Sequence, residues 1–116
     1  MKEIISKEML SEVLGLSIIA VQGMLDKKNV LFVFDKSCGN HIPRESAINI
    51  YELAHKCKEW AFNQYLFIVM SEKHANHWYS SATNENTKMQ KAFTSNSEPE
   101  AIFKACDYIL KELSNK

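Results

Sequence analysis

A chain of 116 residues, 46% hydrophobic and 24% charged, has room for one domain with a core of its own and excludes wholesale disorder. Its 14 basic residues balance its 14 acidic ones, which removes the simplest electrostatic argument for binding nucleic acid or an anionic membrane. We therefore expect a single α+β domain over residues 1–116.

Ser6 is suited to N-cap a short first helix, with Met9, Leu10, Val13 and Leu14 on one side and Gly15 supplying a left-handed stop. Ser17 to Gln22 and Asn29 to Asp35 are rich in Ile, Val and Phe and predict an antiparallel hairpin, with Gly23 to Lys28 as its turn. From Lys36 to Ser46, Ser37, Cys38, Gly39, Asn40 and Pro43 predict an exposed loop.

The organising helix follows. Ile50, Leu53, Ala54, Cys57, Trp60 and Ala61 recur at steps of three, four and seven, so one face of a helix carries them all. Asn49, three residues before Glu52, has the form of an N-terminal cap and places the helix start near Asn49. Tyr65 to Ser71 then predicts a strand buried on both faces, hence central. After a polar turn, Glu72 to Asn76, residues His77 to Thr83 alternate as a strand. Asn84, Glu85 and Asn86 turn the chain into an edge strand over Met89 to Thr94, where Lys91 discourages pairing with a stranger.

Ser97-Glu98-Pro99-Glu100 is a helix start with capping-box spacing and a proline in the first turn. Ile102, Ala105, Cys106, Ile109, Leu110 and Leu113 form the stripe of that last helix. The expected order is α-β-β-α-β-β-β-α: a mainly antiparallel sheet of about five strands, two amphipathic helices packed on one face and a short N-terminal helix. No internal repeat shows in the sequence.

INIYELAHKCKEWA at 48–61 and SEPEAIFKACDYILKEL at 97–113 resemble the paired signature of a group of small proteins carried by prophages and other mobile elements. In that group a helix ending in Trp-Ala is followed by a hairpin and a Thr/Ser-Glu-Pro-Glu-Ala-Ile helix. The opening ISKEMLSEVLG is similar to the start of some members, and the ordering is like that of the phage ABA sandwich domain. The chain departs from the pattern at Asn63-Gln64, where a glycine is expected before Tyr65, and in a longer polar insert around Glu85 to Lys88. The resemblance implies a compact fold and a phage or mobile-element setting, and brings no catalytic residue with it.

Cys38, Cys57 and Cys106 are an odd set; Cys57 and Cys106 lie on apolar stripes, where a reduced thiol behaves as a small hydrophobe, and a cytoplasmic location is the natural expectation. The short apolar stretch Leu14 to Val21 is followed by no signal-peptide cleavage pattern, and Leu66 to Met70 is too short to span a bilayer. Cys38-x-x-His41 and His74-x-x-His77 have spacings found in zinc sites, but only folding could bring the two loops together. Two histidine-bearing polar loops are the plainer reading. A nucleophilic Cys38–His41 or Cys57–His55 pair lacks an accompanying elbow, oxyanion motif or paired acids. Gly15, Gly23 and Gly39 are too scattered to cradle a phosphate, and no cofactor is expected.

Trp78 and Tyr79 must point to opposite sides of their strand, so one of them lies away from the helices. With Tyr65 or Phe93 it would make a contact patch. The leading expectation is a non-catalytic protein-interaction module, with a second copy of itself as the first partner to test. The alternatives are nucleic-acid binding through Lys56, Lys58, Lys88 and Lys91 and metal binding through Cys38, His41, His74 and His77.

Overall fold

A computed structural model describes residues 5–25, 30–35 and 44–114. The elements are α1 (Lys7–Leu14), β1 (Ile18–Leu25), β2 (Val30–Asp35), β3 (Arg44–Asn49), α2 (Ile50–Tyr65), β4 (Phe67–His74), β5 (His77–Asn84), β6 (Gln90–Ser95) and α3 (Glu98–Ser114). The class is α+β, as expected, but the strands form two antiparallel three-stranded sheets, β1-β2-β3 and β4-β5-β6, in place of one sheet of about five. The chain divides into two compact units, Met1–Leu53 and Ala54–Lys116, with the boundary inside α2. Each sheet is a meander that feeds a helix, β3 into α2 and β6 into α3, so the element order β-β-β-α occurs twice.

In the first unit, Ser6 caps α1 by accepting the Met9 N–H, and Gly15 closes it at φ 68° with its own N–H on the Ser11 carbonyl. Met9 and Leu10 are fully buried and α1 packs along β1. The hairpin partner of β1 is β2, in a register interrupted between Ile18 and Ala20 and again between Val21 and Gly23. Gly23, read from sequence as part of the turn, therefore lies inside β1 opposite Phe32, next to an irregularity of the kind that glycine accommodates. Leu31, Val33 and Asp35 point inward from β2, while Phe32 and Phe34 are half-exposed on the other side.

The third strand, β3, was not expected: Arg44 to Ser46 fell in the expected loop and Ala47 to Asn49 between that loop and the expected helix start. Its outward positions, Glu45 and Ala47, pair with Phe34 and Phe32, while Ser46 and Ile48 pair with Val33 and Leu31. Only one of those four residues is a large hydrophobe, so the alternation that marks a strand was too weak to read. The cap at Asn49 is as the spacing predicts: its side-chain oxygen accepts the N–H groups of Tyr51 at 2.9 Å and Glu52 at 3.1 Å.

In the second unit, β5 is the central strand and β4 lies at the edge of the sheet, not at its centre. Phe67 and Val69 are buried, whereas Ile68 and Met70 are exposed, so β4 is covered on one face only. An apolar run looks the same in sequence whether one face or both are covered, which is why the central placement failed. The helix side of the sheet packs against α3. Ser80 donates to the Ala101 carbonyl at 2.6 Å, Ser71 to Glu98 at 2.8 Å, Ser95 to Glu100 at 2.7 Å, and Lys104 to the Thr94 carbonyl at 2.7 Å. Ser97 accepts the Glu100 N–H at 3.4 Å, and the Glu100 carboxylate receives Ser95.

Where a glycine is absent near the end of α2, the helix continues to Tyr65 and stops at Leu66 with φ 60°. The Leu66 N–H bonds to the Phe62 carbonyl and its carbonyl accepts from Glu85, so two turns depend on this conformation. A left-handed backbone costs an L-residue about 1–2 kcal/mol. Leu66→Gly is therefore expected to raise the unfolding free energy by about 0.5–1 kcal/mol, after the greater freedom of glycine in the unfolded chain is subtracted. Urea denaturation reads this directly, and a loss of stability would show that the half-exposed Leu66 side chain outweighs its backbone strain.

Candidate functional site

The outer face of β4-β5-β6 is assembled by strand pairing. Ile68 stands opposite Thr83, Met70 opposite Ser81, Glu72 opposite Tyr79 and His74 opposite His77. On the other side of β5, Tyr79 faces Thr94, Ser81 faces Ala92 and Thr83 faces Gln90. Because side chains alternate along each strand, all of these share the face away from α3. Ile68 is 37% exposed, Met70 63% and Tyr79 37%. Met70, Glu72, Tyr79, Ser81 and Ala92 border a depression of about 320 Å³. Glu72, beside Tyr79, is the charged side chain bordering the depression; the other polar groups of the middle of the face are hydroxyls and an amide.

The hairpin end of this face is different in character. The His74 ring is hydrogen-bonded to Glu72 and meets the Tyr79 ring edge-on, with centroids 5.3 Å apart. His77 is directly across from His74, on the far side of the turn at Ala75 and Asn76. Folding thus brings two of the four candidate metal ligands together, while Cys38 and His41 lie outside the described residues. Among the described residues, no group of three or more His, Cys, Asp or Glu side chains could hold a metal ion.

Tyr79, not Trp78, is the aromatic that faces away from the helices. Its expected companions are elsewhere: Tyr65 ends α2 with its ring edge-on to Trp60 at 5.3 Å, and Phe93 lies beside Tyr108 of α3 at 5.6 Å. Ile68 and Met70 take their place. They were assigned to a strand covered on both faces, so sequence reasoning passed over them; the alternation Phe67-Ile68-Val69-Met70 contains no polar residue that could have flagged an open side.

The remaining candidates separate in space. His55 is exposed and pairs with Glu59 at 3.0 Å, pointing away from the buried Cys57. A hydrogen bond to the Cys106 thiol, burial and the nearby Asp107 carboxylate all push the Cys57 thiol upward, which is the reverse of what activates a nucleophile. Lys58 reaches Ser71, itself bonded to Glu98, and Lys88 stands 3.9 Å from Glu85. Lys56 is on α2 and Lys91 on β6, both exposed.

Compared with known proteins, this chain matches no family model, no curated protein and no solved structure. No helix among the described residues is long and apolar enough to cross a membrane.

Proposed function

We propose that this chain is a non-catalytic protein-interaction module whose contact surface is the outer face of β4-β5-β6, with a second copy of the chain as its first partner. The observation that carries the reading is the exposure of Ile68, Met70 and Tyr79 together on one sheet face. A stretch of adjacent apolar side chains on an open sheet gains free energy when water leaves it, at roughly 25 cal/mol per Å².

Charge supports the choice of partner. The chain is neutral at pH 7, so two copies approach without net like-charge repulsion. Three strands of paired residues make a face of roughly 14 by 20 Å. Two such faces bury only about 600 Å² in total, well below a stable specific interface, so the association is weak and transient. The phage or mobile-element setting belongs to this proposal on the strength of the resemblance at 48–61 and 97–113.

The lysine reading has less to rest on, because Lys58 and Lys88 are each engaged with neighbours beside acidic residues. Sedimentation equilibrium from about 1 µM to about 1 mM, the range in which weak complexes form, tests the proposal. A concentration-dependent rise in mean mass towards the dimer is expected. A monomer across the whole range would overturn self-association, and retention on DNA at low salt would put the lysine reading ahead.

A further inference from the structure

At the hairpin end of the outer face, His74 and His77 stand directly opposite each other across the turn at Ala75 and Asn76, and both are exposed. Directly paired residues share a sheet face, so both imidazoles lie on the side away from α3, one step along from the Glu72–Tyr79 pair. Ala75 holds the turn at φ 54°, a left-handed backbone that an L-residue adopts only at a cost. The tight turn keeps the two histidines in register.

The Glu72 carboxylate bonds Nε2 of the His74 ring and leaves Nδ1 for another partner. A carboxylate on one ring nitrogen is the usual support of a histidine that ligates a metal through the other, because it fixes the ring and makes it a stronger donor. Imidazole suits zinc, and a structural zinc ion takes four ligands. Among the described residues of one copy, no group of three or more His, Cys, Asp or Glu could hold a metal ion. One copy offers two imidazoles, and two copies offer four.

We propose that His74 and His77 form half of a zinc site, completed by the same two residues of a second copy, so that one ion clamps two chains at their hairpin ends. This rests on self-association through the outer face of β4-β5-β6. Stacked sheets lie about 10 Å apart, and an ion midway between two such faces is within reach of histidine side chains from both. Charge favours a cation there. Packing hairpin end on hairpin end brings two Glu72 carboxylates, one from each copy, to the same end of the interface, and a divalent ion offsets their repulsion. The ion also fixes the orientation of the dimer. With the two-fold axis along the strands, like ends meet and the four histidines converge; with the axis across the strands, they separate into two distant pairs.

The experiment titrates zinc chloride into the full chain and follows the histidine imidazole signals by NMR and the mean mass by sedimentation equilibrium. His74 and His77 are expected to respond, with an end point of one zinc per two chains, while His55, paired with Glu59 on α2, stays fixed. Dimerisation is expected to tighten by at least about tenfold, because the ion binds the dimer in preference to the monomer, and to relax when a chelator removes it. His74→Gln and His77→Gln, both at exposed positions, should each abolish the response to zinc. Zinc bound with no rise in mass, or a zinc-driven rise that survives both substitutions, would overturn the proposal. The two readings fail separately. A chain that associates equally in zinc and in chelator removes the metal site and leaves the apolar contact standing; a chain that is monomeric in chelator and dimerises in zinc through both histidines does the reverse.

Discussion

Phe103→Ala is expected to lower the unfolding free energy by about 3–5 kcal/mol, the largest effect of any single truncation considered for this protein. Phe103 is fully buried in α3, and α3 is the helix that packs against β4, β5 and β6. Removing the ring forfeits its transfer from water and leaves a cavity that a close-packed interior closes only in part. Domains of this size have only about 5–15 kcal/mol of stability, so the loss takes a large share. Urea denaturation should show a lower midpoint with little change in slope. If the alanine variant is unfolded at 25 °C, Phe103→Leu gives a graded reading, with a cost of about 1 kcal/mol. A cost below that for the alanine variant would mean that α3 is not seated as described.

Met70→Lys is expected to weaken self-association by between tenfold and a hundredfold while leaving stability within about 0.5 kcal/mol. Met70 is 63% exposed, so the folded monomer hardly depends on it. In a two-fold dimer the same residue enters the interface twice, once from each copy. Losing part of two apolar side chains costs about 1 kcal/mol each, and burying two ammonium groups in the interface adds a desolvation penalty. Sedimentation equilibrium and urea denaturation on the same sample separate the two effects. Unchanged association would place the contact elsewhere on the protein.

Much of the framework was legible because local chemistry decided it. The stop at Gly15 and the caps at Ser6 and Asn49 need no tertiary information, since one side-chain oxygen or one left-handed residue satisfies the helix end. The stripe of α2 was legible in full, since Ile50, Leu53, Ala54, Cys57, Trp60 and Ala61 are all buried; that of α3 was legible in part, since Ile102, Ala105, Cys106 and Ile109 are buried as their spacing predicts, but so is Phe103, which lies outside that stripe. Packed across three strands, α3 buries a wider arc than a periodicity of one face reveals.

The sheets were harder to read. Strand β3 depends on its partner, since Ser46 and Ile48 are inward only because Val33 and Leu31 await them. The repeated β-β-β-α order was invisible for the same reason, because without β3 the first half has one strand too few. The open face of β4 was misread because Ile68 and Met70 are as apolar as their buried neighbours, and exposure is a property of what packs on a strand. Of the metal candidates, only the meeting of His74 and His77 across one turn follows from the hairpin.

The most direct test of the interaction surface is a series of heteronuclear NMR spectra recorded while the labelled chain is diluted from about 1 mM to about 10 µM, a span that crosses the range of weak association. Concentration-dependent shifts are expected at Ile68, Met70, Tyr79, Ser81 and Ala92, with α1 and the buried face of α3 unmoved. Spectra that superimpose across the dilution, or shifts that cluster on another face while Ile68, Met70 and Tyr79 stay fixed, would contradict this assignment of the surface.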